Sequence, residues 1–200
     1  MEDTYKTIST ASEGLFKDKG SKFIAYAYPV TSEDQIKEIV QSIKKEHYSA
    51  RHHCYAWRLG PEKLLFRAND DGEPSSTAGK PILGQIQSFD LTNILIVVVR
   101  YFGGTLLGVS GLINAYRNAA FDAINQAEIV EKLVEKELLI EFDYSVMNDV
   151  MKLFKDEKLP QIEPQFDLRC RIKTHIRLSE LNRIEDGLNK IEGLTITVIS

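Results

Sequence analysis

The sequence predicts an α+β protein of two domains, and three observations carry that expectation. An apolar, β-branched run, Ile94–Val99, has the length and composition of a strand buried on both faces. It breaks into a glycine-bearing bend, Arg100–Gly111, and restarts at helical spacing with Leu112, Tyr116, Ala119 and Ala123. From Leu138 onward the pattern changes to a β-α-β-β-α-β order, which predicts a ferredoxin-like split βαβ sandwich.

Each element has its own signal. Tyr5–Ser9 and Gly14–Tyr28 read as strands, the second with Phe23, Ala25 and Ala27 alternating with Lys22, Ile24 and Tyr26. Pro29 ends that run. Thr31 with Asp34 gives a start like a capping box, and Ile36, Ile39, Val40 and Ile43 then form one stripe of a surface helix lying on a sheet. His52–Leu59 and Lys63–Arg67 read as a hairpin joined at Gly60-Pro61. A turn-rich loop, Asn69–Pro74, leads to a helix over Pro81–Ser88, with Ser76 or Thr77 as the candidate cap. Ser110 is the candidate cap of the helix after the glycine bend. Glu128–Lys136 is charged and helix-like, and the domain boundary falls there, giving residues 1–130 and 136–200. In the second domain Leu138–Tyr144, Ile162–Asp167, Leu168–Arg177 and Leu194–Ile199 are strands, and Ser145–Lys158 and Ser179–Ile191 are helices.

Composition narrows the function classes. An apolar fraction of 43% is enough for two cores. A net charge of −4 argues against a surface that binds nucleic acid everywhere, so any such binding needs a local patch. Cys54 and Cys170 lack metal-ligand spacing and read as free thiols. No apolar run is long enough to span a bilayer, and none follows a basic N-terminal stretch, so the expectation is a soluble, cytoplasmic protein.

Five groups of residues invite chemistry. Gly103, Gly104, Gly108 and Gly111 serve backbone packing or cradle an anion. They form neither a Walker loop, which needs a lysine before Ser110, nor a dinucleotide fingerprint. Asp70, Asp71 and Glu73 are turn carboxylates, a hard-cation site or an acid/base pair, with Glu73 the better candidate because Pro74 stiffens the chain after it. In His52-His53-Cys54, alternation along a strand separates His53 from both neighbours, and two ligands are too few for zinc. Cys54 therefore reads as core. Arg100, Tyr101, Phe102 and Arg117, with Lys19, Lys22, Arg51 and Lys80 elsewhere, suit phosphate binding and base stacking, or else Arg100 pairs with Glu73. In the second domain Arg169, Arg171, Lys173, His175 and Arg177 share one face of a strand, where pairing with Glu141, Asp143, Glu163 and Asp167 on neighbouring strands would neutralise them.

Val97-Val98-Val99-Arg100-Tyr101-Phe102-Gly103-Gly104-Thr105, then Leu107-Gly108, Gly111-Leu112 and Ala115-Tyr116, resemble the signature of the IMPACT family. Asp70-Asp71-Gly72-Glu73-Pro74-Ser75 with Thr77-Ala78-Gly79 and Pro81-Ile82-Leu83, Lys19-Gly20-Ser21-Lys22-Phe23, and His53-Cys54-Tyr55-Ala56-Trp57 resemble three further motifs of that family, in the same order. The chain departs from the family pattern at Leu106, where the pattern has lysine, at Asn114, where it has arginine, and at Ser76 and Ser110, where it has glycine.

The resemblance implies an N-terminal ribosomal-protein-like βαβ domain with a left-handed crossover, four strands and two main helices. The ferredoxin-like C-terminal domain it implies is similar to the fifth domain of elongation factor G. In eukaryotes the family is linked to restraint of a stress-activated translation-initiation kinase. The expectation is a non-enzymatic regulatory protein, translation- or ribosome-related, that binds RNA or a translation-associated protein through the face around the glycine bend. The residues assigned to that face are Asp71, Glu73, Thr77, Arg100, Tyr101, Gly103, Gly104, Thr105 and Arg117. No cofactor, metal or membrane is expected. The alternative is a hydrolase acting on a phosphorylated or peptide substrate, with Glu73 or Asp71 in acid/base work.

Overall fold

The computed structural model describes residues 3–199. They form two compact units, Tyr5–Lys132 and a second made of residues 3–4 with 133–199.

The first unit is built on one five-stranded antiparallel sheet. The chain opens with β1 (Thr4–Ile8), β2 (Ser12–Asp18) and β3 (Ser21–Pro29), so the expected single strand over 14–28 is two strands. The break lies at Lys19 (φ 44°) and Gly20 (φ 79°), whose positive φ values make the tight turn that suits the twist of a hairpin. Next come α1 (Glu33–Glu46), β4 (His52–Leu59), β5 (Leu65–Asn69), α2 (Gly79–Ser88), β6 (Ile94–Tyr101) and α3 (Gly108–Gln126). Sheet order is β2-β3-β6-β4-β5. This is one strand and one helix more than the four-strand, two-helix expectation, because β2 and α2 are separate elements.

β6 sits in the middle, buried from Ile94 to Arg100, as its unbroken apolar run requires. Ile94, Ile96 and Val98 face α2 and α3, and Leu95, Val97 and Val99 face α1. The helices therefore clad opposite faces of one sheet. The α1 stripe buries Ile36 and Ile43 as its spacing predicts, but the cap is Ser32 and not Thr31. Ser32 Oγ accepts the Gln35 N–H, and Gln35 Oε1 accepts the N–H of Thr31, one residue before the cap, so the pair of bonds resembles a capping box shifted at its return bond. Neither Ser76 nor Thr77 caps α2, which begins two residues earlier than expected. Ser110 lies inside α3, and the cap position, Leu107, contributes no side-chain hydrogen bond.

The stretch 128–136 is not a helix. Ile129–Leu133 forms β7, which pairs with β1 in a two-stranded sheet, and β8 (Glu135–Asp143) follows almost at once. Pairing with another strand overrides the weak helical preference of Glu and Lys here.

The second unit continues with α4 (Met147–Asp156), β9 (Ile162–Phe166), β10 (Arg169–Arg177), α5 (Leu181–Leu188) and β11 (Thr195–Val198). All pairs are antiparallel in the order β11-β8-β10-β9. Leu138, Ile140, Phe142, Cys170, Ile172 and Ile176 pack on one face under Val150, Phe154, Ile184 and Leu188. On the other face the basic stripe is largely neutralised: Arg171 meets Glu141 at 2.9 Å, Lys173 meets Glu163 at 2.6 Å, and Arg169 stands opposite Asp143. Arg177 binds Asp3, whose carboxyl it holds down at about 2.

Two glycines give opposite tests of this packing. A Cβ on Gly14 would lie 2.2 Å from the Ala123 backbone nitrogen in α3, whereas nothing lies within 4 Å of one on Gly84 in α2. Gly14→Ala is expected to cost about 3 kcal/mol or more in urea unfolding, since backbone cannot yield as side chains do. Gly84→Ala is expected to stabilise by roughly 0.8 kcal/mol, the helix-propensity difference. A neutral Gly14→Ala would contradict the contact between α3 and β2.

Candidate functional site

The acidic turn and the glycine bend meet at one end of the first unit's sheet. What joins them is buried. Arg100 Nη1 donates to Glu73 Oε1 at 2.7 Å, and Tyr116 Oη donates to the same oxygen at 2.6 Å. Arg100 is 8% exposed, Glu73 8% and Tyr116 0%. The Cys54 thiol donates to Tyr116 Oη at 3.3 Å and lies 3.0 Å from the Asp70 carbonyl oxygen. The guanidinium carbon of Arg100 lies 5.6 Å from the centre of the Phe23 ring and 5.7 Å from that of Phe102. Burial pushes the Cys54 thiol and the Tyr116 phenol well up, so neither is a nucleophile or a base at neutral pH.

Each carboxylate of the turn has structural work. Asp70 accepts the N–H groups of Ser76 (2.8 Å), Ala78 (3.1 Å) and Gly79 (2.8 Å), and so caps α2 from outside the helix. Asp71 accepts the His53 N–H at 2.7 Å and Lys44 Nζ at 2.9 Å. Its partial burial would raise its pKa, but the bonds from Lys44 and His53 outweigh that and hold it below the usual carboxylate value. Positive φ at Asp71 (41°), Gly72 (87°) and Ser76 (66°) bends the turn around these carboxylates. Thr77 is buried and gives its hydroxyl to the Pro74 carbonyl at 2.6 Å.

The glycine bend divides by role. Gly103 touches the first hairpin, where an added Cβ would fall 1.9 Å from the Gly20 carbonyl carbon, and its N–H donates to Ser21 Oγ at 3.0 Å. It is a packing glycine. Gly104, at φ 88°, and Thr105 are exposed on the bend. Tyr101 faces the α1 side of the sheet and not the Arg100 side; its hydroxyl pairs with His47 Nδ1 at 2.8 Å, and His47 Nε2 pairs with Tyr26. Burial raises the Tyr26 phenol to about 12. Arg117 is exposed on α3. Of the residues assigned from sequence, then, Glu73, Arg100 and the bend converge. Asp71 and Thr77 support them; Tyr101 lies on the α1 face yet lines the cleft beside Arg100, and Arg117 is exposed on α3.

A cleft of about 700 Å³ opens between Ser49–His52, which lead into β4, and Arg100–Phe102 at the end of β6, with Leu106 also in its lining. That is the size of an ordinary ligand site. Its walls include three basic side chains and no carboxylate. Asp71 lines a different and smaller groove, of about 250 Å³, with Lys44 and Tyr55. Among the described residues no three His, Cys, Asp or Glu side chains are placed to hold a metal ion. His52, turned by strand alternation to the Arg100 face, joins the cleft and pairs with the Asp71 carbonyl at 3.0 Å, whereas His53 binds the His47 carbonyl on the opposite face. Sequence reasoning placed Arg51 only among scattered basic groups and missed the capping role of Asp70. Register against β6 sets His52 opposite Arg100, and Arg51 lines the cleft from the residue just before β4.

These features define a two-unit α+β protein whose site is a basic, aromatic-edged cleft beside a buried ion pair. The Impact N-terminal domain pattern matches residues 19–124, the stretch that builds that cleft. IMPACT family member YvyE of Bacillus subtilis is 30% identical over 191 residues, covering 96% of this chain and 88% of that one. IMPACT family member YigZ of Escherichia coli is 37% identical over 139 residues, 68% of this chain and 67% of that one. A crystal structure described as that of an hypothetical protein matches with a TM-score of 0.76 at 27% identity, over 100% of this chain and 99% of the other. The chain belongs to the IMPACT family. No helix among the described residues is long and apolar enough to cross a membrane.

Two outcomes test the buried network. Glu73→Gln strands the Arg100 charge and is expected to cost about 3–5 kcal/mol in denaturant unfolding. Tyr116→Phe removes one bond to a charged group and is expected to cost about 1.5–3 kcal/mol. A loss below about 1 kcal/mol for Glu73→Gln would mean that the pair does not hold the two segments together. Because the folded pKa of Asp71 is depressed, its contribution is full above the ordinary carboxylate pKa and is lost progressively as pH falls from there through the lower folded value. Asp71→Asn is therefore expected to flatten the acid limb of the stability–pH curve; an unchanged limb would contradict the Lys44 and His53 contacts.

Proposed function

We propose that this chain is a non-enzymatic regulatory protein, translation- or ribosome-related, that holds RNA or a translation-associated protein in the cleft where β4 begins and β6 ends. The observation that carries the reading is the division of labour at the site. The turn carboxylates are engaged in capping and pairing, and the open cleft is left with Arg51, His52, Arg100 and Phe102. That arrangement suits a binding surface, whereas the hydrolase alternative gives its acid/base work to Glu73 or Asp71, neither of which lines the cleft.

The domain reading belongs with it: residues 1–130 as a ribosomal-protein-like βαβ domain with a left-handed crossover, and 136–200 as a ferredoxin-like domain similar to the fifth domain of elongation factor G. β3 and β4, joined through α1, both pair antiparallel to β6 and hence run parallel to each other, which supports the first assignment. In the second unit the strands taken in chain order stand 4-1-3-2, which supports the other. Family membership supports the translation-related role through what the IMPACT resemblance implies.

Co-sedimentation of the full chain with ribosomal particles over a salt series tests the reading. The expected result is migration with the particles at low salt, weakened about tenfold by Arg51→Glu. A chain that stays in the light fractions at every salt concentration would contradict it.

A further inference from the structure

Resting on that reading, we infer that the occupant of the cleft is an acidic polypeptide segment with apolar side chains: a carboxylate meets Arg51 and Arg100, and a neighbouring apolar side chain lies on Phe102 and Leu106. Charge is the first argument. Arg100 is already balanced by Glu73 at 2.7 Å, so Arg51, exposed and without an ion-pair partner among the described residues, is the fixed cation the cleft has to offer. A nucleic-acid strand draws its affinity from several cations displacing counterions at once, and this cleft cannot supply them. A single carboxylate needs only one.

The second argument is an unmet donor. Arg100 Nε is buried and has no hydrogen-bond partner among the described residues. A buried donor left unpaired costs about 1–3 kcal/mol, and a carboxylate with two acceptor oxygens is suited to relieve it.

The rim supplies the third. Phe102 is 58% exposed and Leu106 83%, with Val109 at 60% just beyond in the first turn of α3. Leu106 stands where the family pattern has lysine, so at this rim the chain offers aliphatic surface in place of a cation. Base stacking would call for free aromatic planes, yet Tyr101, which also lines the cleft, is tied through its hydroxyl to His47. Apolar surface edged by one cation matches a peptide that alternates acidic and apolar residues.

The test uses the full chain, labelled for amide NMR, with three probes: a short peptide alternating Glu and Leu, the same peptide with Lys for Glu, and an oligouridylate. Arg51→Glu and Leu106→Asp are the variants, both at exposed positions that leave the core untouched. The expected result is that the acidic peptide moves the amides of Arg51, His52, Phe102 and Leu106, and that each variant weakens binding about tenfold or more. The lysine peptide and the oligouridylate are expected to leave those amides unmoved. If the oligouridylate moves them and the acidic peptide does not, the occupant is wrong while the cleft reading stands. Acidic-peptide binding that neither variant weakens, or that the lysine peptide reproduces, also overturns the inference. If no probe moves them, the inference falls, and co-sedimentation that Arg51→Glu leaves unchanged would take the cleft reading with it.

Discussion

The first unit depends on one buried ion pair. Arg100 closes the central strand and Glu73 lies in a turn that follows an edge strand; without their contact nothing polar would join those two segments so deep in the fold. A lone charge at that depth would be costly, and the structure compensates it on several sides. Tyr116 reaches from α3 to the same carboxylate oxygen, and the rings of Phe23 and Phe102 lie against the guanidinium. Two elements, β6 and α3, thus converge on one oxygen atom of the turn. Hydrophobic residues of similar volume would stabilise the fold as well or better. What the ion pair adds is position: it sets where the turn ends and where the bend begins.

That positioning explains why the carboxylates are poor candidates for catalysis. Asp70 is committed to the start of α2, Asp71 to β4 and α1, and Glu73 to Arg100. Their burial and bonding pull acidity inward and leave a cleft whose exposed chemistry is basic and apolar. The same acidic motif therefore serves function indirectly, by shaping a surface in which it takes no part.

Much of this was legible in the sequence, and for identifiable reasons. Ile94–Val99 could only be a central strand, because no alternation broke it, and the α1 stripe was set by spacing alone. The possible Arg100–Glu73 pair could be named, since both residues stood in motifs that lacked another purpose. What could not be read was where long-range contacts decide local structure. Ile129–Leu133 has the composition of a helix and becomes a strand because β1 is available to pair with it. Strand alternation puts the Arg100 and Tyr101 side chains on opposite faces of β6, yet both line the cleft at the strand's end, and the tie from Tyr101 to His47 could not be read from the sequence. Asp70 caps a helix that begins nine residues later, a contact no window of local sequence reveals.

The central claim is that Glu73 and Arg100 fasten the turn to the bend, and amide hydrogen exchange tests it most directly. Comparing the unaltered chain with Glu73→Gln, protection is predicted to fall together in residues 70–79 and 100–104, while β8 and β10 in the second unit stay unchanged. A loss confined to the turn, with the bend as protected as before, would contradict the account.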